Sequence, residues 1–200
     1  MIYLIGGPSR SGKTTLASVL RKRLAAHSLS GDAMVRAIRD NNNPALIQDV
    51  LVNVYDPIKH SDPPATQIAR LRRRDRVMWN YAASYLTASH HDGDGDIVFE
   101  GGLWPDFLQD FDGEYRAVFL VDTSEDRAER LIHMRDTSTS NNWMHDWSDE
   151  KITTWAEFDR ERSREIIRLC DQYGHQYFDI ADLTIDGVQT AALEYLLAST

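Results

Sequence analysis

The sequence predicts an α/β fold in three layers, a parallel sheet covered by helices on both faces. Three observations predict it. Strand-like and helix-like segments alternate along the chain. The best strands, at residues 96–102, ending in an acid and two glycines, and 115–122, are apolar through their centres, which marks strands buried on both sides. Residues 7–14 read G-P-S-R-S-G-K-T, a glycine-rich loop set between the first strand and the first helix.

The elements follow in order. Tyr3 to Ile5 is a short apolar run suited to a buried strand. Leu16, Leu20 and Leu24 then recur every four residues, one face of a helix over residues 12–26. Its last turn carries Arg21, Lys22 and Arg23, which suits the negative end of the helix dipole. Residues 27–32 form a weak strand, and residues 33–39 carry a helical pattern. Asn41-Asn42-Asn43-Pro44 breaks the chain, with a helix expected over residues 46–54. Residues 65–89 form a long helix, with Ile68, Leu71, Met78, Tyr81, Ala82 and Tyr85 expected to share its inner face. After residues 115–122, a helix is expected over residues 124–134, with Ser124 as N-cap and Glu125 and Asp126 in the first turn. Residues 135–147 are polar and read as a loop. Ser148 starts another helix, with Trp155, Phe158, Ile166, Leu169 and Tyr173 inward and Gly174 as its stop. Residues 176–180 are the last strand and residues 187–197 the last helix.

The loop is explained by chemistry. A polyphosphate presents a string of anionic oxygens, and successive backbone N–H groups in a tight loop can all point at them. Gly7 and Gly12 give clearance and φ freedom. Ser9, Arg10, Ser11 and Thr15 complete the lining. Lys13 adds a point charge near the β- and γ-phosphates, and the Thr14 hydroxyl completes a Mg²⁺ shell. The helix that begins here offers its N-terminal dipole.

Composition excludes several classes. The 200 residues suit one domain, and 42% hydrophobic content supports a core. A net charge of −9 argues against a nucleic-acid partner. The single cysteine, Cys170, excludes an internal disulfide framework, fits a reducing cytoplasm, and reads as a buried thiol. No apolar run approaches the roughly 18 residues of a membrane span. A leader peptide is not expected, because the phosphate loop begins by Gly7. His90 and His91 beside Asp92, Asp94 and Asp96 read as a solvated turn rather than a metal site.

The loop at residues 7–14, the acid after the second strand (Asp32), the ending Glu100-Gly101-Gly102 and an arginine-bearing segment after the fourth strand resemble the P-loop small-molecule and nucleoside-monophosphate kinases. Adenylate-kinase-like, shikimate-kinase-like and chloramphenicol-phosphotransferase-like enzymes are among them. The resemblance implies a P-loop NTPase fold with a five-stranded parallel sheet in order 2-3-1-4-5. It implies a helical acceptor-binding region at about residues 32–95 and a lid at about residues 135–150 that closes over ATP. It also implies Mg²⁺-dependent transfer of the γ-phosphoryl group to a small-molecule acceptor.

The same resemblance assigns roles. Asp32 falls where such kinases hold an acid near the acceptor hydroxyl, and it is equally placed to cap a helix starting at Ala33. Glu100 takes the place of the Walker B acid, although many relatives have aspartate there. It would bind a Mg²⁺-ligated water or contact the acceptor, with Gly101 and Gly102 admitting the acceptor to the backbone. Arg127, Arg130 and Arg135 flank the lid, where the family neutralises the transferring phosphoryl group, and Arg130 and Arg135 are favoured. Arg72 and Arg76, within the run of arginines at residues 70–76, are either a solvated face or a clamp for an anionic acceptor. Trp143 and Trp147 either pack on a base or sugar or fold the lid onto the body. Residues 181–184 would border the adenine.

Two functions of different kinds compete. One is a kinase acting on a metabolite hydroxyl or phosphate, with a nucleotide-sugar acceptor as a variant. The other is a regulatory NTPase with no acceptor. The N-K-x-D guanine signature is absent. Oligomeric state is not legible.

Overall fold

The computed structural model describes residues 1–40, 62–93, 95–138 and 143–198. The helix expected over residues 46–54 lies outside them. Five strands form one parallel sheet in the order β2-β3-β1-β4-β5. They are β1 (Ile2–Gly6), β2 (His27–Ser30), β3 (Ile97–Glu100), β4 (Tyr115–Val121) and β5 (Gln176–Asp179). The helices are α1 (Lys13–Leu24), α2 (Gly31–Asp40), α3 (Pro64–His91), α4 (Arg127–Thr137), α5 (Asp149–Tyr173) and α6 (Ile185–Leu197), with a 3-10 helix at Pro105–Asp110.

The strand sequences dictate two cores. Successive side chains point to opposite faces. Ile2 and Leu4 of β1, with Phe99, Phe119 and Val121, therefore pack on one side against Trp79, Leu86, Trp104, Phe107 and Leu169. Tyr3 and Ile5, with Val98, Val118 and Leu120, pack on the other side against Leu16 and Leu20 of α1 and Val188, Ala192 and Leu196 of α6. The central strands β1, β3 and β4 must be apolar at both parities. The edge strand β2 need not be, which is why His27-Ser28-Leu29-Ser30 can be polar and partly exposed.

Some expectations on the elements need correction. Leu71, Met78 and Ala82 of α3 are buried, but Tyr81 and Tyr85 are 50% and 51% exposed, and Trp79 and Leu86 take the inner positions instead. Ser124 does not cap α4. The helix begins at Arg127 behind Asp126, and the Ser124 hydroxyl donates to Asp122. Ser148 does cap α5, accepting from Lys151 N at 3.3 Å, and Gly174 ends it in the left-handed conformation at φ 73°. Cys170 is buried, and burial, then the Asp171 charge, push its thiol up to about 12. Among the described residues, no helix is long and apolar enough to cross a membrane.

Candidate active site

All five strands run parallel, so the loops at their carboxyl ends converge at one end of the sheet, where ligands of such folds collect. The loop after β1 forms the cradle. Gly7 holds φ 132° and Gly12 holds φ 89°. A Cβ on Gly7 would overlap the Leu120 carbonyl, so only glycine fits there. The carbonyl of Gly12 accepts from Gln189 Nε2 at 2.9 Å, which ties the start of α1 to α6. Ser11 and Lys13 both donate to the Pro8 carbonyl, at 3.0 and 2.5 Å. Burial, then the Arg162 guanidinium, push the Lys13 ammonium down to about 8, against the opposing pull of Glu100, Asp32 and Asp159. An anion entering the cradle would favour the charged form of this lysine.

Thr14, Glu100 and Ser30 meet beside the cradle. The Thr14 hydroxyl donates to Glu100 Oε2 at 3.3 Å and the Ser30 hydroxyl to Glu100 Oε1 at 2.7 Å. Two hydroxyls and one carboxylate are hard oxygen donors. They fit Mg²⁺, which takes one or two protein oxygens and completes its shell with phosphate and water. Among the described residues, no three His, Cys, Asp or Glu side chains gather in a way that could hold a metal by themselves. Asp32 is exposed in the first turn of α2, which begins at Gly31, two residues earlier than a cap at Asp32 requires. Its charge reaches Lys13. Gly31 and Gly101 face each other closely enough that a Cβ on either would stand 3.1 Å from the other's Cα. Lys13, Thr14, Asp32 and Glu100 therefore gather at one place.

The arginines after β4 are all engaged. Arg127 is 1% exposed, paired with Asp122 and Asp159, and donates to the Ser9 carbonyl at 2.7 Å. Arg130 is half-buried and pairs with Asp122 at 2.8 Å and Asp126 at 3.2 Å. Burial alone would raise the Asp122 carboxyl, but Arg127, the Ser124 hydroxyl and Arg130 outweigh it and hold the carboxyl below its ordinary range. Arg135 donates to the Trp147 carbonyl at 2.7 Å and pairs with Asp149 at 2.8 Å, joining the end of α4 to the start of α5. Trp143, Trp147 and Trp155 pack edge to face, with centroids 4.7 to 5.5 Å apart. Trp147 and Trp155 pack against the cluster of Leu131, Met144 and Ile152, while Trp143 is 47% exposed.

Arg72 and Arg76 stand apart from the cradle. They line a groove of about 830 Å³ between α3, the 3-10 helix and α5, together with Ile68, Phe107, Arg164 and Glu165. None of Lys13, Asp32, Glu100, Gly101 or Gly102 lines it. Both arginines pair with Asp106, at 2.7 and 3.3 Å. The wall beside Gly102 is built by residues that the sequence did not single out. Asp75, 1% exposed, lies where a Cβ on Gly102 would fall. It accepts from Trp104 Nε1 at 2.9 Å and pairs with the buried Arg162 at 3.5 Å. Asp75 was hidden in the arginine run, and Arg162 among the alternating charges of α5. The available signal was Trp104, an indole whose N–H must find an acceptor when buried.

The geometry can be set beside known proteins. No family model matches the chain, and no curated protein matches it in sequence. Among solved structures it is similar to a shikimate kinase from Bacteroides thetaiotaomicron (13% identity, TM-score 0.56, covering 97% of this chain and 94% of that one). It is similar also to a shikimate kinase from Acinetobacter baumannii in complex with shikimate (17%, TM-score 0.52, 98% and 92%). A thymidylate kinase from Candida albicans matches at 16% identity and TM-score 0.50, over 96% and 89%. At such identities the likeness concerns the fold, and the fold is that of the P-loop kinases.

Proposed function

We propose that this chain is an ATP-dependent phosphotransferase that moves the γ-phosphoryl group to a hydroxyl or phosphate of a small-molecule acceptor. The observation that carries this reading is the convergence of Lys13, Thr14, Glu100 and Asp32 on one point at the carboxyl end of the sheet. A hydrolytic switch needs the first three. An exposed carboxylate within electrostatic reach of the phosphate lysine is what an acceptor-using enzyme adds.

The residues divide the work. The amides of Gly7, Ser9, Arg10, Ser11, Gly12, Lys13, Thr14 and Thr15 bind the polyphosphate, and Lys13 leaves the Pro8 carbonyl for the β- and γ-oxygens. Thr14 and Glu100 hold Mg²⁺, which when bound neutralises charge on those oxygens. Asp32 orients the acceptor and takes its proton as the acceptor oxygen bonds to phosphorus and the bond to the β-phosphate breaks. Gly101 and Gly102 let the acceptor approach the backbone, with Asp75 and Arg162 behind them. Arg130, half-buried beside Asp122, and Arg135, near the end of α4, turn from the acids they pair with to neutralise charge on the transferring group. Most of the acceleration comes from alignment and charge neutralisation.

The test is a panel of small hydroxylated and phosphorylated metabolites offered with Mg²⁺ and ATP while ADP release is followed. At least one should raise ADP release well above the rate without acceptor. Asp32→Asn should then lower kcat by about a hundredfold while KM for ATP stays within twofold. Release that no acceptor accelerates would favour the regulatory NTPase instead.

A further inference from the structure

Arg10 holds φ 58°, the left-handed region that a residue with a Cβ visits only when its surroundings impose it. The preceding carbonyl, that of Ser9, is the one gripped by Arg127 Nη2 at 2.7 Å. Arg127 is itself fixed. Asp159 accepts from the same nitrogen at 2.7 Å, Asp122 accepts from Nη1, and both acids are buried. Asp122 directly follows β4 and Asp159 lies on α5, so the guanidinium is clamped from two sides.

The Ser9–Arg10 peptide is trans, so its C=O and N–H point in opposite directions. A guanidinium that pulls the Ser9 oxygen toward the β4–α5 side turns the Arg10 N–H to the opposite side. We propose that Arg127 is a positioning residue for the phosphate loop. It holds the Ser9–Arg10 peptide in the orientation that aims the Arg10 amide at the polyphosphate. This differs from the role that its place at the lid gives it in sequence, that of a cation facing the transferring phosphoryl group. Its two Nη nitrogens are committed to two acids and a carbonyl, and its side chain is buried.

The inference rests on the nucleotide-binding reading, and MgADP titrated calorimetrically into the full chain separates the two. If the wild type fails to bind MgADP, the nucleotide reading fails. If it binds and the following differences are absent, only the role of Arg127 fails. Arg127→Gln should weaken MgADP about tenfold, the worth of one well-aimed hydrogen bond to an anion. Glycine adopts the left-handed region freely, so Arg10→Gly lowers the loop's need for the clamp. In the Arg127→Gln background it should cost at least about threefold less affinity than in the wild type, or restore some. A purely structural arginine would give additive losses. Affinity within twofold of wild type in Arg127→Gln, or strict additivity with Arg10→Gly, would overturn the proposal. Should Arg127→Gln not fold, Arg127→Gln with Asp159→Asn removes both buried charges together and leaves Asp122 paired with Arg130. The same coupling with Arg10→Gly is then measured in that background.

Discussion

In the proposed function Lys13 is the residue on which the chemistry turns, and its protonation is open to measurement. Burial, then Arg162, disfavour its charged form and push the ammonium down to about 8. Phosphate oxygens favour the charged form, so binding raises this value. Nucleotide affinity should therefore be full below about pH 8 and fall as the pH rises beyond it, since binding must then take up a proton. Calorimetry at pH 8 in two buffers of different ionisation enthalpy should register that uptake, and Lys13→Met should abolish it. A binding enthalpy indifferent to the buffer would contradict this assignment. Lys13, Thr14 and Glu100 were legible in the sequence because their chemistry depends on near neighbours, a loop motif and the end of an apolar run. Asp32 was legible by position. Asp75 and Arg162 were not, because a charge on a helix looks the same in sequence whether it faces water or a buried indole. Only the meeting of α3, α5 and Trp104 makes the pair.

At the scale of elements, the caps that involve near neighbours alone were readable, and those that compete with distant partners were not. Ser148 and Gly174 bracket α5 as the sequence indicates. Ser124 looks like the same kind of cap, yet its hydroxyl is drawn to Asp122 within the buried arginine network. Tyr81 and Tyr85 have the right spacing for the inner face of α3, but the direction of that face is set by Trp79 meeting Phe99 and Phe111 at ring distances of 5.7 and 5.3 Å. The end of β3 and the middle of α3 are in similarly close contact, because Gly102 leaves room for the Asp75 carboxylate. Gly102→Ala would push a methyl group into it. Overpacking of this kind costs about 1–3 kcal/mol, and chemical denaturation should show a loss in that range. An unchanged midpoint would mean that β3 and α3 are not held this closely.

For the molecule as a whole, alternating apolar strands and helices were enough to indicate a parallel sheet with two cores. The strand order was not carried by periodicity. It came with the resemblance of the loop and the strand-end acids, and the sheet has that order. The architecture brings the carboxyl ends of β1, β2 and β3 together, and with them Lys13, Asp32 and Glu100, which are far apart in the chain. Asp122 and Asp159, joined through Arg127 to the Ser9 carbonyl, tie β4 and α5 to the same loop. On the proposed reading the charge of −9 is no obstacle to binding an anion, because recognition would be by backbone amides and one lysine rather than by the overall field. The measurement that bears most directly on this account is a calorimetric titration of Mg²⁺ with a non-hydrolysable ATP analogue into the wild type and Lys13→Ala. One site per chain in the wild type, weakened at least about a hundredfold in the variant, as expected for a desolvated charge pair lost, is the predicted result. Equal affinity in the two proteins, or no binding by the wild type, would contradict it.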